Sequence, residues 1–220
     1  MADGYHPPVE EYLEAIHELE EEGTVVIQAR LAERLGHSAP SVSETIRRLK
    51  ADGYLDVSED RALLLTSKGR ARAESVVRKH RLAERLLTDV IGLPWHKTHE
   101  EACRWEHVIS DEVEARLVEL LGNPTTCPHG NPIPGNEPPP RDLVQLADME
   151  PGARVRLELV TEQVEIDLEA LTYLSENGFT PGVGGTIRAK APDGTLTLEL
   201  DDGSIALGPA LSQQLYVVTA

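Results

Sequence analysis

Aromatic residues are scarce, with one Phe, two Trp and five Tyr in 220 residues, and cysteine is scarcer still, with Cys103 and Cys127 alone. Two cysteines cannot make a disulfide framework. In a reducing compartment, a Cys close to Glu and His reads as a ligand rather than as half of a bridge. No apolar run reaches the roughly 18 residues that a membrane helix needs, and the N-terminus lacks a signal-peptide pattern. The expectation is therefore a cytoplasmic protein without a membrane partner. There is no His-Glu-x-x-His motif, no nucleophile elbow and no phosphate loop, which argues against an enzyme. Internal repeats and low-complexity tracts are also missing. At this length the chain can build one large domain or two to three small ones with real cores.

Positive charge is the remaining deficit: 21 Lys and Arg face 38 Asp and Glu, for a net charge of −17. That balance is unfavourable for a nucleic-acid binder, whose affinity rests on neutralising phosphates. The charge is uneven, however. Arg30 to Arg72 holds nine Lys/Arg against six Asp/Glu, a net of +3, while Asp142 to the end holds four against thirteen, a net of −9. The first 22 residues carry eight acidic side chains and no basic one. A locally basic middle permits DNA binding, and the acidic remainder invites a cation.

The middle has the pattern of a DNA-reading module. Val9 to Glu22 places Tyr12, Leu13, Ile16 and Leu19 at helical spacing, and Glu10, Glu11 and Glu14 fall in its first turns, where the helix dipole favours carboxylates. Ile27–Leu35 predicts a short helix closed by Gly36. Ser38 can cap the next, Ser41 to about Asp52, with Pro40 in its opening turn. Two short helices joined by a tight Gly-containing turn make a helix-turn-helix. Gly53 to Thr66 reads as two strands around Glu59-Asp60, so the ordered set is a winged helix-turn-helix. The N-terminus of its second helix would approach base edges. Ser38, Pro40, Ser41, Ser43 and Glu44 are the candidate readers, Arg47, Arg48 and Lys50 the candidate phosphate contacts, and Arg30 a further candidate DNA-binding residue.

Beyond Thr66 the pattern predicts a long helix running unbroken to about Ile91, with His80 and Glu84 four residues apart. Thr98 opens a further helix. On it Cys103, Glu106 and His107 would share a face, because positions i, i+3 and i+4 coincide. A thiolate, a carboxylate and an imidazole form a partial shell for a divalent transition ion. Any single histidine, such as His96 or His129, reads as incidental. A helix from Asp111 to Leu121, a rigid loop from Cys127 to Gly135 and a proline-rich linker at Asn136–Asp142 come next. The tail then changes texture. Arg154–Thr161, Gly185–Ala189, Thr195–Leu200 and Tyr216–Thr219 read as strands and Leu168–Glu176 as a helix, together a small SH3-like β-barrel. The expected organisation is a winged helix-turn-helix domain at 1–74, a helical metal-binding and dimerisation domain at 75–140, a linker at 141–148 and an SH3-like (FeoA-like) domain at 149–220.

The segments Glu20-Glu-Glu-Gly, Arg30-Leu-Ala-Glu-Arg-Leu, Arg78-Lys-His-Arg-Leu-Ala-Glu-Arg-Leu-Leu, Cys103-Arg-Trp-Glu-His and Gly130-Asn-Pro-Ile-Pro-Gly resemble the diphtheria toxin repressor family of metalloregulators, in its long form. The resemblance covers nearly the whole chain. It implies a metal-dependent repressor of metal homeostasis that binds a palindromic operator as a homodimer, with two metal sites per subunit. One site would use Cys103, Glu106 and His107 with Glu11, where iron-type members carry Met, and with Glu14, which matches a second carboxylate of the manganese type. The other would use His80, Glu84 and His99, completed by Glu162 and Glu165 from the barrel. Glu44 stands where iron-type members carry Gln.

Carboxylates at Glu11 and Glu165 harden both sites toward Mn(II), and Cys103 pulls toward softer ions, so Mn(II) is the expected corepressor and Fe(II) the alternative. The ion would tie the first helix to the interface domain and select the dimer geometry in which the two recognition helices stand about 34 Å apart, one turn of DNA. Three other readings compete. A catalytic zinc site would leave the winged helix idle. An organic effector in place of a metal would leave the ligand residues merely structural. Peptide capture by the barrel has only Tyr173, Phe179 and Tyr216 to offer a polyproline ligand.

Overall fold

The computed structural model describes residues 8–219. The described residues divide into two compact units, one of the chain up to residue 80 with 103–115 and one of residues 81–102 with the chain from 116 onward.

In the first unit, α1 (Pro8–Glu21), α2 (Gln28–Leu35) and α3 (Ala39–Ala51) are followed by the strands β1 (Leu55–Val57) and β2 (Leu63–Leu65), which pair antiparallel. The apolar period seen in the sequence is the buried stripe: Tyr12, Leu13 and Ile16 pack with Leu31, Val42, Ile46, Leu49, Leu55 and Leu63 in one core. Gly36 takes the left-handed conformation that ends α2. The Ser38 hydroxyl accepts from the Ser41 amide at 3.4 Å, so α3 opens at Ala39, two residues before the predicted start. The Leu63 amide donates to Val26 O at 2.8 Å and ties the wing to the segment preceding α2. Thr66 then caps α4 (Ser67–Arg85), its hydroxyl accepting from the Gly69 amide at 3.1 Å.

The long helix is not unbroken. At Leu86 the α-helix gives way to a six-residue π turn, Leu86–Ile91, closed by Gly92 at a φ of 76°. Such turns widen the helix and re-aim the chain beyond them. A short 3₁₀ turn at Trp95–Lys97 leads into α5 (Thr98–Trp105). Glu106 and His107 were expected on that helix; they lie in the turn just after it. The helix α6 spans Asp111–Leu120.

The second unit is built on a six-stranded antiparallel sheet in the order β3-β8-β4-β5-β6-β7. Its strands are β3 (Val144–Gln145), β4 (Arg154–Val160), β5 (Gly184–Lys190), β6 (Leu196–Leu200), β7 (Gly203–Leu207) and β8 (Leu215–Thr219). The sequence pattern predicted four of these and passed over β3 and β7, the two edge strands. Register shifts at Leu157/Leu159 and Ile187/Ala189 let the sheet bend. Phe179, predicted as an exposed aromatic, is fully buried in this core, while Tyr173 is part-exposed. Between β4 and β5 the chain forms α7 (Glu162–Glu165) and α8 (Leu168–Glu176), and α9 (Pro209–Ser212) precedes β8. Among the described residues, no helix is long and apolar enough to cross a membrane.

Candidate metal centres and DNA-reading surface

The recognition helix presents the predicted surface. Ser38, Pro40, Ser41, Ser43, Glu44, Arg47, Arg48 and Lys50 are all exposed, while Val42, Ile46 and Leu49 on the opposite face are buried. Arg30 is exposed on α2, its guanidinium donating to Val25 O at 2.6 Å.

The first ligand cluster lies in the first unit. Donor atoms of Glu14, Glu106 and His107 all fall within 4.8 Å of one another. Glu106 is the hub: Oε1 lies 3.1 Å from His107 Nε2, and Oε2 lies 2.5 Å from His80 Nδ1. His80, which the resemblance assigned to the other site, thus turns one nitrogen toward this one. Burial alone would hinder ionisation of Glu106, yet its hydrogen bonds with His107 and His80 hold the carboxyl at about 2. Glu14 has no such partner among the described residues: burial, then the neighbouring Glu106 charge, push its carboxyl well above the usual range. Burial opposes protonation of His107, but hydrogen bonds with Glu106 and Glu10 raise it above the usual histidine value. Cys103 is part-exposed and adds to the negative field at Glu14. The residue of α1 that reaches His107 is Glu10, whose Oε2 lies 2.7 Å from Nδ1. Glu11 is part-buried and belongs to none of the close donor groups among the described residues.

The second cluster lies wholly within the second unit and is drier. Donor atoms of Glu84, Cys127, His129 and Glu165 fall within 4.8 Å of one another. His129 Nδ1 stands 3.0 Å from Glu84 Oε1 and 2.9 Å from Glu165 Oε2. His99 Nδ1 joins the edge, 3.2 Å from Glu162 Oε1, 3.5 Å from Glu165 Oε2 and 3.7 Å from Glu84 Oε1. Glu84 and His129 have no solvent exposure. Burial opposes a charge on His129, but Glu165 and Glu84 raise it well above the usual histidine value. Glu165 is lowered by His129 in spite of its burial. Burial, reinforced by Glu84 and Glu165, pushes the Cys127 thiol up to about 11.

The sequence reading missed His129 and Cys127. Their loop is shaped from several sides. The Cys127 amide donates to Asn131 O at 2.8 Å, and the Gly130 amide returns to Cys127 O at 3.0 Å. Arg85 Nε donates to Thr126 O at 2.7 Å, and Trp95 Nε1 to Pro128 O at 3.0 Å. The Trp95 ring lies against His129 with centroids 4.7 Å apart. Asn131 Nδ2 donates both to Val160 O and to Glu165 Oε1. A Cys and a His two apart in a rigid Pro-Gly loop were the available signal. Gly130 is required here, since at a φ of 94° an added Cβ would stand 1.9 Å from Glu158 O. Gly130→Ala is expected to destabilise the protein by at least about 2 kcal/mol, read as a lowered urea midpoint, and to weaken the second cluster.

Both donor sets suit a divalent transition ion. In the second cluster, His129 Nδ1 and Nε2 and Glu165 Oε2 are buried without a properly directed hydrogen bond. Converging nitrogen and carboxylate donors that do not satisfy one another are what an ion requires.

Three family models match consecutive stretches of the sequence: "Iron dependent repressor, N-terminal DNA binding domain" over residues 6–63, "Iron dependent repressor, metal binding and dimerisation domain" over 66–135, and "FeoA domain" over 144–219. The chain belongs to the iron-dependent repressor family. Iron-dependent repressor IdeR of Mycobacterium tuberculosis (strain H37Rv) is 50% identical over 200 residues, covering 86% of each chain. The diphtheria toxin repressor of Corynebacterium efficiens is 51% identical over 182 residues, covering 79% of each. Among solved structures, a manganese-dependent transcriptional repressor in complex with manganese superposes with a TM-score of 0.84 at 32% identity, covering 96% of this chain and 100% of that one. An iron-dependent repressor thus carries a DNA-binding module, two clusters of side chains that could hold a metal ion and an SH3-like sheet. Its partners follow from the matched domains: DNA, and a second copy of itself.

Proposed function

We propose that this metal-dependent DNA-binding repressor takes Mn(II) as its corepressor, with Fe(II) as the alternative ion, and that the dimer reads a palindromic operator. The observation that supports Mn(II) is the donor set of the first cluster, two carboxylates and one imidazole within 4.8 Å. Oxygen-rich sites favour the harder ion. The Cys127 thiol, held at about 11, offers the second cluster no thiolate at neutral pH until an ion displaces its proton. Fe(II) keeps its place because the Mycobacterium tuberculosis relative at 50% identity is named an iron-dependent repressor. Glu14, Glu106 and His107 would hold the regulatory ion, with Glu11 and Cys103 the further donors that the family pattern suggests. Glu84, His99, Cys127, His129, Glu162 and Glu165 would hold the second. A bound ion would supply positive charge that cancels the repulsion among these buried carboxylates. His80 stands behind Glu106 and fixes its orientation.

The test is operator binding under strict anaerobiosis, titrating Mn(II), Fe(II), Co(II) and Zn(II) separately against an EDTA control. Binding that requires an ion and reverses with EDTA is expected. In-vitro affinity will follow the Irving–Williams order, so the decision between Mn(II) and Fe(II) rests on which ion supports repression at its cellular concentration. Operator binding that ignores EDTA would leave a winged-helix protein with another signal. A half-site spacing unrelated to one DNA turn would remove the palindromic reading.

A further inference from the structure

Besides Glu14, α1 brings a second carboxylate to the first cluster, from a residue outside the ligand set. Glu10 is 6% exposed, and its two carboxylate oxygens have different partners. Oε2 lies 2.7 Å from His107 Nδ1, while Oε1 takes the guanidinium of Arg72 on α4. The other nitrogen of His107, Nε2, faces Glu106 Oε1 at 3.1 Å. Glu10 and Glu14 are four residues apart on one helix, so the same face carries both toward the cluster. The imidazole is therefore held between two carboxylates, one inside the donor group and one behind it.

We propose that Glu10 is the positioning residue of His107: it accepts the Nδ1 proton, fixes the tautomer, and leaves Nε2 as the donor for the divalent ion. The proposal rests on the reading of Glu14, Glu106 and His107 as the ion's ligands. A ligating histidine whose second nitrogen is held by a carboxylate has a fixed ring orientation and a more basic donor atom. Through Arg72 the same carboxylate reaches α4, the helix that begins directly after the wing strand β2. Glu10 thus links an ion ligand, the first helix and the helix leaving the DNA-reading module in one hydrogen-bonded line. Its neighbour Glu11 carries the same charge but makes neither contact among those the structure gives, so the two glutamates are not interchangeable.

Cobalt(II) is the probe, because its visible absorption reports ligand identity and geometry. Wild type, Glu10→Gln, Glu10→Ala, Arg72→Met and His107→Ala are titrated anaerobically, and the part of the spectrum lost in His107→Ala identifies the first cluster. Glu10→Ala is expected to weaken Co(II) at that cluster by about 10- to 100-fold and to alter its absorption bands. Glu10→Gln should fall between, since an amide carbonyl still accepts from Nδ1 without the charge. Arg72→Met should retain most of the affinity and the wild-type bands. Unchanged affinity and bands in Glu10→Gln and Glu10→Ala, with wild type binding normally, overturn the proposal. An equal loss in Arg72→Met also overturns it, because the effect then travels through packing of α4 and not through His107. If Glu10→Ala does not fold, Glu10→Gln decides the matter. A wild type with no Co(II) spectrum assigned to His107 would instead remove the ligand reading itself.

Discussion

Glu106→Gln is expected to reduce operator binding in saturating Mn(II) to the level seen with EDTA, a loss of at least about 100-fold in affinity. Removal of a mere supporting partner of a ligand typically costs 10- to 100-fold, and Glu106 is the hub of the cluster. It is the donor held ionised, at about 2, while Glu14 beside it is pushed toward its protonated form. The amide keeps the shape but brings an NH₂ group that repels an ion and cannot accept from both imidazoles. Breaking a buried charged pair costs about 3–5 kcal/mol, so the metal-free variant should also melt earlier. Circular dichroism before metal addition separates a folded protein blind to metal from an unfolded one. A folded Glu106→Gln variant that still binds operator only with Mn(II) would remove the first cluster from the switch.

How much of this was legible in the sequence depends on whether the signal was local. The winged module could be read because each device acts within a few residues: the apolar stripe of α3, the Ser38 cap, Gly36 closing α2. The exposed face of α3 follows from the same periodicity. The junction at Arg85 could not be read, because a π turn differs from an α turn only by one residue in register, and Leu86, Leu87 and Ile91 satisfy both. Glu10 and Glu11 are adjacent residues with the same side chain. Their difference is the 100° between successive residues on a helix, resolved only when His107 arrives from 97 positions later. His129 reads as incidental because its carboxylate partners are remote in sequence. Glu84 and Glu165 reach it from 45 residues before and 36 after. The family resemblance supplied His80, Glu84, His99, Glu162 and Glu165 as ligands, but it carried over no ligand from the Cys127–Gly130 turn. The edge strands β3 and β7 escaped because one is two residues long and the other opens on Gly203-Ser204, which resembles the turn before it.

Raising the pH is expected to weaken the metal-free second unit and to tighten its hold on an ion, two trends of opposite sign from the same groups. His129 is raised well above the usual histidine value of about 6.5 by Glu165 and Glu84. Its contribution to stability is therefore complete below about 6.5, its unfolded value, and is lost as pH climbs through the raised folded value. Glu165 runs the other way: it is lowered, so its contribution is present above its unfolded value of about 4.3 and is lost as pH falls through the folded one. The metal-free protein should then be most stable between about pH 5 and 6.5 and decline on the alkaline side. An ion reverses the alkaline trend, because it needs His129 neutral and Cys127 without its proton, and each proton displaced makes binding about tenfold tighter per pH unit. An ion at 100 times its dissociation constant adds about 2.7 kcal/mol, and each further tenfold about 1.4 kcal/mol. Thermal unfolding in EDTA and in excess Mn(II), at pH 6.5 and at pH 8.5 without oxygen, measures both. The gap between the two melting curves should widen with pH, and His129→Gln should flatten the alkaline decline in EDTA. A gap that narrows toward pH 8.5 would mean that the buried Glu84–His129–Glu165 group holds no ion and serves the fold alone.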